Sequence, residues 1–140
     1  MIDQTHTQEI TMIEYLNVFY DWDLKHSGVG MEHYDAIGMT PGNIRKHCLI
    51  EMKFRKHHYD TMMLEKKKYD WLMRMPKSTL KFYLVHDPLG TYIFWLDNLK
   101  LNDIVIMKCP SKTFWDDQGM TNKEVYLLEI NQAFIKIIKK

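Results

Sequence analysis

Cysteine is scarce in this 140-residue chain, and the two present, Cys48 and Cys109, are isolated from one another. Neither sits in a zinc-finger spacing, and no disulfide framework can be built from them, so reduced thiols and a cytoplasmic location are expected. No apolar run reaches the ~18 residues of a membrane span. The first residues, from Met1 to His6, lack a basic flank followed by an apolar core, so no signal peptide is expected. Glycine is sparse too. Gly28 and Gly30 carry neither a phosphate-binding loop pattern nor a dinucleotide fingerprint. Net charge is only +1, which excludes a uniformly basic or acidic chain. Length and composition suit one soluble domain over 1–140 with a single core. Alanine is limited to Ala36 and Ala133, while Met, Lys, Ile and Tyr are common, a bias that suits an AT-rich genome such as a phage's.

The charge that is present is unevenly spread. Residues 1–40 carry seven acidic side chains against Lys25. Residues 41–81 carry eleven basic side chains against Glu51, Asp60, Glu65 and Asp70. A basic centre of this kind suits a phosphate backbone. Arg45, Lys46, Arg55 and Lys56 are the candidates for nucleic-acid contact. A lysine-rich solvated face is the alternative.

The stretch 31–55 organises the rest. Two apolar runs flank Pro41-Gly42-Asn43, a chain-reversal signal. In the second run, strand alternation puts Leu49, Glu51 and Lys53 on one face and Ile50, Met52 and Phe54 on the other. A carboxylate and an ammonium thus point the same way from a segment apolar enough to be buried, which is costly without partners or a task. Pairing of the two runs as a hairpin brings Asp35 beside Glu51. Two carboxylates can hold Mg²⁺ through oxygen, and a lysine can orient water or stabilise developing negative charge. A buried structural ion pair, or a hairpin with a solvated polar face, remains the competing reading.

Asp35-Ala36-Ile37, the turn, and Leu49-Ile50-Glu51-Met52-Lys53 resemble the D…(D/E)-x-K core of the PD-(D/E)XK nuclease superfamily. The likeness is to its small members, Holliday-junction resolvases and phage or mobile-element endonucleases. Tyr34 stands where the proline of the name would be. The resemblance implies an α+β, restriction-endonuclease-like core: an N-terminal helix, a mixed sheet of about four to six strands, and a second helix after the E-x-K strand. It further implies catalytic roles for Asp35, Glu51 and Lys53, with Asp35, Glu51 and the Met52 carbonyl as metal ligands. Mg²⁺ is the implied cofactor, with Mn²⁺ able to substitute. DNA and a homodimeric partner are implied, and no membrane.

The first helix is expected over 5–20, with Thr5 and Gln8 as a capping box and Met12, Ile13, Leu16, Phe19 and Tyr20 on its apolar face. At 100° per residue Glu9 falls within that stripe and Glu14 nearly opposite. Superfamily members commonly add an acidic residue from this helix, so Glu9 is the candidate and Glu14 the reserve; simple preference for a helix N-terminus is the alternative for Glu9. Strands are expected over 21–26, 31–40, 47–55, 79–86 and 91–96, and a second helix over 57–73. Lys66 projects into that helix's apolar face, with Lys67 and Lys68 pointing away. The resemblance gives Lys66 a phosphate-contacting role, which Tyr69 could share; a lysine lying along apolar surface is the bland alternative. The last third is less regular: strand over 104–108, a polar loop over 109–122 with Ser111, Lys112 and Thr113 able to contact phosphate, strand or helix over 124–129, and a basic amphipathic end. His33 and His47 flank the candidate site.

The function read from the sequence is a Mg²⁺-dependent endonuclease hydrolysing phosphodiester bonds in DNA, branched or structured DNA among its candidate substrates, with junction, flap, single-stranded and duplex forms left open. A non-catalytic nucleic-acid-binding module and a protein-interaction protein on the same scaffold are the alternatives.

Overall fold

In a computed structural model, the structure describes residues 4–28, 34–110 and 120–139. His33, Ser111, Lys112 and Thr113 lie outside the described residues.

Helix α1 spans Gln4–Tyr20 and buries Glu9, Met12, Ile13 and Leu16. Phe19 and Tyr20, expected in the core, are 70% and 39% exposed. They pack instead around Tyr15, with ring centroids 5.3 and 5.6 Å away. The helix stops because Asp21 adopts a left-handed φ of 62°. The Trp22 N–H then reaches back to the Leu16 carbonyl at 3.3 Å, a six-residue closure that satisfies a terminal carbonyl. Trp22 itself turns into the core, 4% exposed.

An antiparallel meander follows: β1 (Asp23–His26), β2 (Ala36–Met39) and β3 (His47–Phe54). After β3 come β4 (Thr61–Glu65), α2 (Lys66–Met73), β5 (Leu80–Asp87) and β6 (Gly90–Trp95). The chain ends with β7 (Val105–Pro110), β8 (Met120–Glu129) and β9 (Ile135–Ile138). Six strands form one mixed sheet in the order β1-β2-β3-β5-β6-β9, and β4-β8-β7 form a second sheet. β5 runs parallel to β3, with Glu51 opposite Tyr83. This is the six-stranded α+β arrangement expected.

The expected helix over 57–73 is half wrong. Thr61–Glu65 is a strand, pairing with β8 from Thr61↔Glu129 to Glu65↔Val125. Met62 and Leu64 alternate inward, fully or almost fully buried. The partner strand lies more than sixty residues away in sequence, so local periodicity cannot reveal it. The basic C-terminal stretch is likewise a strand, β9, against β6.

The sheet is covered on both faces. On one, α1 packs with Ala36, Cys48, Ile50, Met52, Phe82 and Leu84. On the other, Met62, Leu64 and Leu72 from β4 and α2 pack with Tyr83, Val85, Phe94 and Leu128. β3 therefore lies between two layers, and Cys48 through Met52 are all buried, Glu51 included. Among the described residues no helix is long and apolar enough to cross a membrane.

Candidate active site

Asp35 immediately precedes β2, where the β2–β3 ladder ends at Ala36↔Ile50. Its own N–H donates to the Ile50 carbonyl at 2.8 Å. Its carboxylate accepts the Met52 N–H at 2.7 Å through Oδ2. On a strand the N–H and C=O of one residue point to the same side. The Met52 carbonyl therefore faces the Asp35 side, beyond the last β2 partner.

Glu51 projects from the opposite face of β3 and is 5% exposed. Burial, together with the neighbouring Asp35 carboxylate, pushes its carboxyl up to about 7. Lys68 Nζ from α2 forms an ion pair with Glu51 Oε2 and pulls the other way. Burial alone would lower the Lys68 ammonium; Glu51, Glu65 and Asp35 more than offset it, so its pKa is raised. Lys53, two residues along, keeps an exposed side chain. Partial desolvation, with Lys68 and Arg55 nearby, lowers its pKa. Glu51, Lys53, Arg55, Glu65 and Lys68 line one small cleft. Such a lysine is more easily the proton-accepting or water-orienting kind.

Glu9 approaches Asp35 from α1. It is 8% exposed, and its carboxyl is raised by burial, opposed by His26 and further raised by Asp35. Glu14 is exposed. Asp35 thus neighbours both Glu9 and Glu51, and Lys53 shares the cleft of Glu51.

The basic candidates are placed less uniformly. Arg55 is half-buried and donates to the Met63 carbonyl at 3.5 Å. Lys56 is exposed in the loop after β3, and Arg45 and Lys46 are exposed on the β2–β3 turn. Arg45 pairs with Asp21 at 2.9 Å. Lys66, expected to face inward, pairs with Asp70 one turn along its own helix at 2.5 Å. Lys68, expected to point away, takes the inward position. Tyr69 stacks edge-on against Tyr126. Glu65 carries no signal of its own in the sequence; it joins the cleft through β4 and pairs with Lys123 at 3.0 Å. His47 is exposed.

The donor set fits a hard divalent cation. Asp35 and Glu51 are neighbouring carboxylates, and burial first, then the Asp35 carboxylate, raises the Glu51 carboxyl, an all-oxygen pair of the kind a hard dication takes.

No protein-family model matches this chain, and no curated protein matches it. Solved structures show a likeness over nearly the whole molecule. The chain is similar to Hjc from Archaeoglobus fulgidus, a Holliday junction resolvase of an archaeal hyperthermophile. The TM-score is 0.53 at 12% sequence identity, over 89% of this chain and 92% of Hjc. At that identity the likeness is one of fold. The α+β architecture is the restriction-endonuclease-like fold expected from the D…E-x-K pattern.

Proposed function

We propose that this protein is a divalent-metal-dependent endonuclease that hydrolyses phosphodiester bonds in DNA, with branched DNA as the substrate class that the Hjc-like fold favours. The observation that carries the reading is the Asp35 carboxylate held on the Met52 N–H beside Glu51, with Lys53 next to Glu51. Asp35, Glu51 and Met52 would hold Mg²⁺, or Mn²⁺ in its place. The cation supplies Lewis-acid polarisation of the phosphate and a lowered pKa for bound water.

The chain's own residues divide the remaining work. Lys53 orients the attacking water and meets the charge that develops on phosphorus-bound oxygens. Glu9 supports the water or the cation from the α1 side. Lys68 holds Glu51 in place, and Arg55 and Lys56 extend a positive path away from the cleft. Arg45 and Lys46 meet the backbone of DNA farther along, and Lys66 contacts phosphate from the exposed face of α2. Action on a branched substrate favours a homodimer, one site for each strand cut.

The test is cleavage of labelled four-way-junction, duplex and single-stranded DNA with Mg²⁺, Mn²⁺ or EDTA, beside Lys53→Ala. Metal-dependent cutting, reduced at least about 100-fold in the variant with its melting curve preserved, is the expected result. Equal cutting by the variant overturns the assignment. The direct Glu51–Lys68 ion pair favours a second reading, a structural network in a non-catalytic binding module. Salt-sensitive DNA binding with no cutting of any substrate would select it.

A further inference from the structure

Outside the Asp35–Glu51 pair, one group of side chains among the described residues has the composition of a metal site. His6, Glu9 and His26 bring one imidazole nitrogen, one carboxylate oxygen and a second imidazole nitrogen within 4.8 Å of one another. His6 and Glu9 lie three residues apart on α1, hence on one face of the helix. His26 closes β1, opposite Ala36 and next to Asp35 in the sheet. The two imidazole rings meet edge to face with centroids 4.4 Å apart. Glu9 Oε1 is 2.7 Å from His26 Nε2. The Glu9 carboxyl also has the Asp35 carboxyl as a hydrogen-bonding neighbour.

We infer that His6, Glu9 and His26 form a second cation site, selective for borderline dications of the Mn²⁺, Co²⁺ and Zn²⁺ class, with Glu9 shared between it and the carboxylate site. Imidazole suits these ions, whereas Mg²⁺ prefers oxygen. Two imidazoles and a carboxylate leave a fourth position for water. Metal–ligand bonds of about 2.0–2.2 Å put ligand atoms about 3–4 Å apart. The three side chains need close by only about 1 Å, and His6 is half-buried on the first turns of α1.

Without the cation, a proton occupies its place. The Gly28 N–H donates to His26 Nδ1 at 3.0 Å, so Nε2 carries the proton and gives it to Glu9. Coordination through Nε2 moves that proton to Nδ1 and ends the Gly28 hydrogen bond. That bond is exposed, and Gly28 has open space around its Cα, so water replaces it. A cation here offsets the crowding of Glu9 against Asp35 from the side opposite Lys68.

The site does not depend on the nuclease reading. The measurement is titration of the full chain with Co²⁺, read by visible absorption, and competition with a chromophoric chelator for Zn²⁺. Wild type is expected to bind, His6→Ala and His26→Ala to weaken binding at least tenfold, and His57→Ala, an exposed histidine outside both sites, to keep it. Melting curves check each variant, and His6→Gln on the helix surface serves if His26→Ala unfolds. Unchanged affinity in the His6 variants, or an equal loss of binding in His57→Ala, overturns the inference. Co²⁺ binding that survives in a chain unable to cut DNA sinks the nuclease reading alone.

Discussion

Asp35 Oδ2 accepts the Met52 N–H at 2.7 Å, so the backbone of the strand that carries Glu51 also grips the carboxylate that lies beside it. The relation between the two acids is thereby set by main chain and does not rely on long, mobile side chains. A site whose parts are fixed in this way needs little reorganisation when charge develops.

Stability without metal is expected to fall as pH rises. Glu51 has a carboxyl near 7 in the folded protein against 4.5 as its ordinary value. The folded state thus binds the proton more tightly than the unfolded chain does. This contribution is complete below about pH 4.5 and is lost as pH rises through 7; the difference is ~3 kcal/mol over the window. Urea unfolding in EDTA at pH 5, 6, 7 and 8 measures it. Glu51→Gln flattens the profile, and added Mg²⁺ stabilises most at the alkaline end.

Lys68 and Lys66 are two residues apart and should behave differently. Lys68→Ala leaves the buried Glu51 carboxylate without its cation. Destabilisation of about 1–3 kcal/mol at pH 8 is expected, shrinking at pH 5 where Glu51 is protonated. Lys66→Ala removes only a surface pair with Asp70 and leaves the melting curve unchanged. Parallel denaturant curves at both pH values decide between them.

DNA affinity is expected to fall with salt. Arg45, Lys46 and Lys56 are exposed, so alanine at each lowers the slope of log K against log salt by about one for every phosphate that the side chain had neutralised. Sequence preference should not change. Fluorescence anisotropy at several salt concentrations, on two unrelated sequences, reads both quantities.

Gly38→Ala should disrupt the β1–β2 edge. A Cβ at this position would lie 2.0 Å from the Asp23 carbonyl oxygen and 2.8 Å from Leu24 Cα. Both are backbone atoms of the neighbouring strand, so relief requires β1 to move. A loss of at least ~2 kcal/mol is expected, with hydrogen-exchange protection lost first in β1. An unshifted melting curve would contradict the strand spacing.

The site is more legible in the sequence than the layer that covers it. Alternation in β3 assigns Glu51 and Lys53 to one face because the strand is continuous and its period is two. Glu9 is legible because helix α1 is long enough for its phase to be read. α2 resists the same treatment. An apolar stripe through Tyr59, Met62 and Met63 rests on residues that are not on the helix at all. Once they are removed, Leu72 is the buried residue that sets the phase. Lys68, four residues before it, then falls on the inward side. The competing pull of β8 on 61–65 is a long-range pairing with no local trace. Phe19 is misplaced by its pattern for a related reason: periodicity tells which side of α1 a residue is on, not where the sheet beneath it ends.

The pairing of β4 with β8 also has a consequence for biosynthesis. Thr61 cannot acquire its partner until Glu129 has been made, and Gly90 waits for Ile138. The meander bearing Asp35 and Glu51 emerges from the ribosome early. The strand that leads directly into the Lys68 helix stays unpaired until residues 125–129 have been translated. Assembly of the cleft is therefore a late event on the ribosome, and a half-made chain carries the acidic groups without the layer that closes over them.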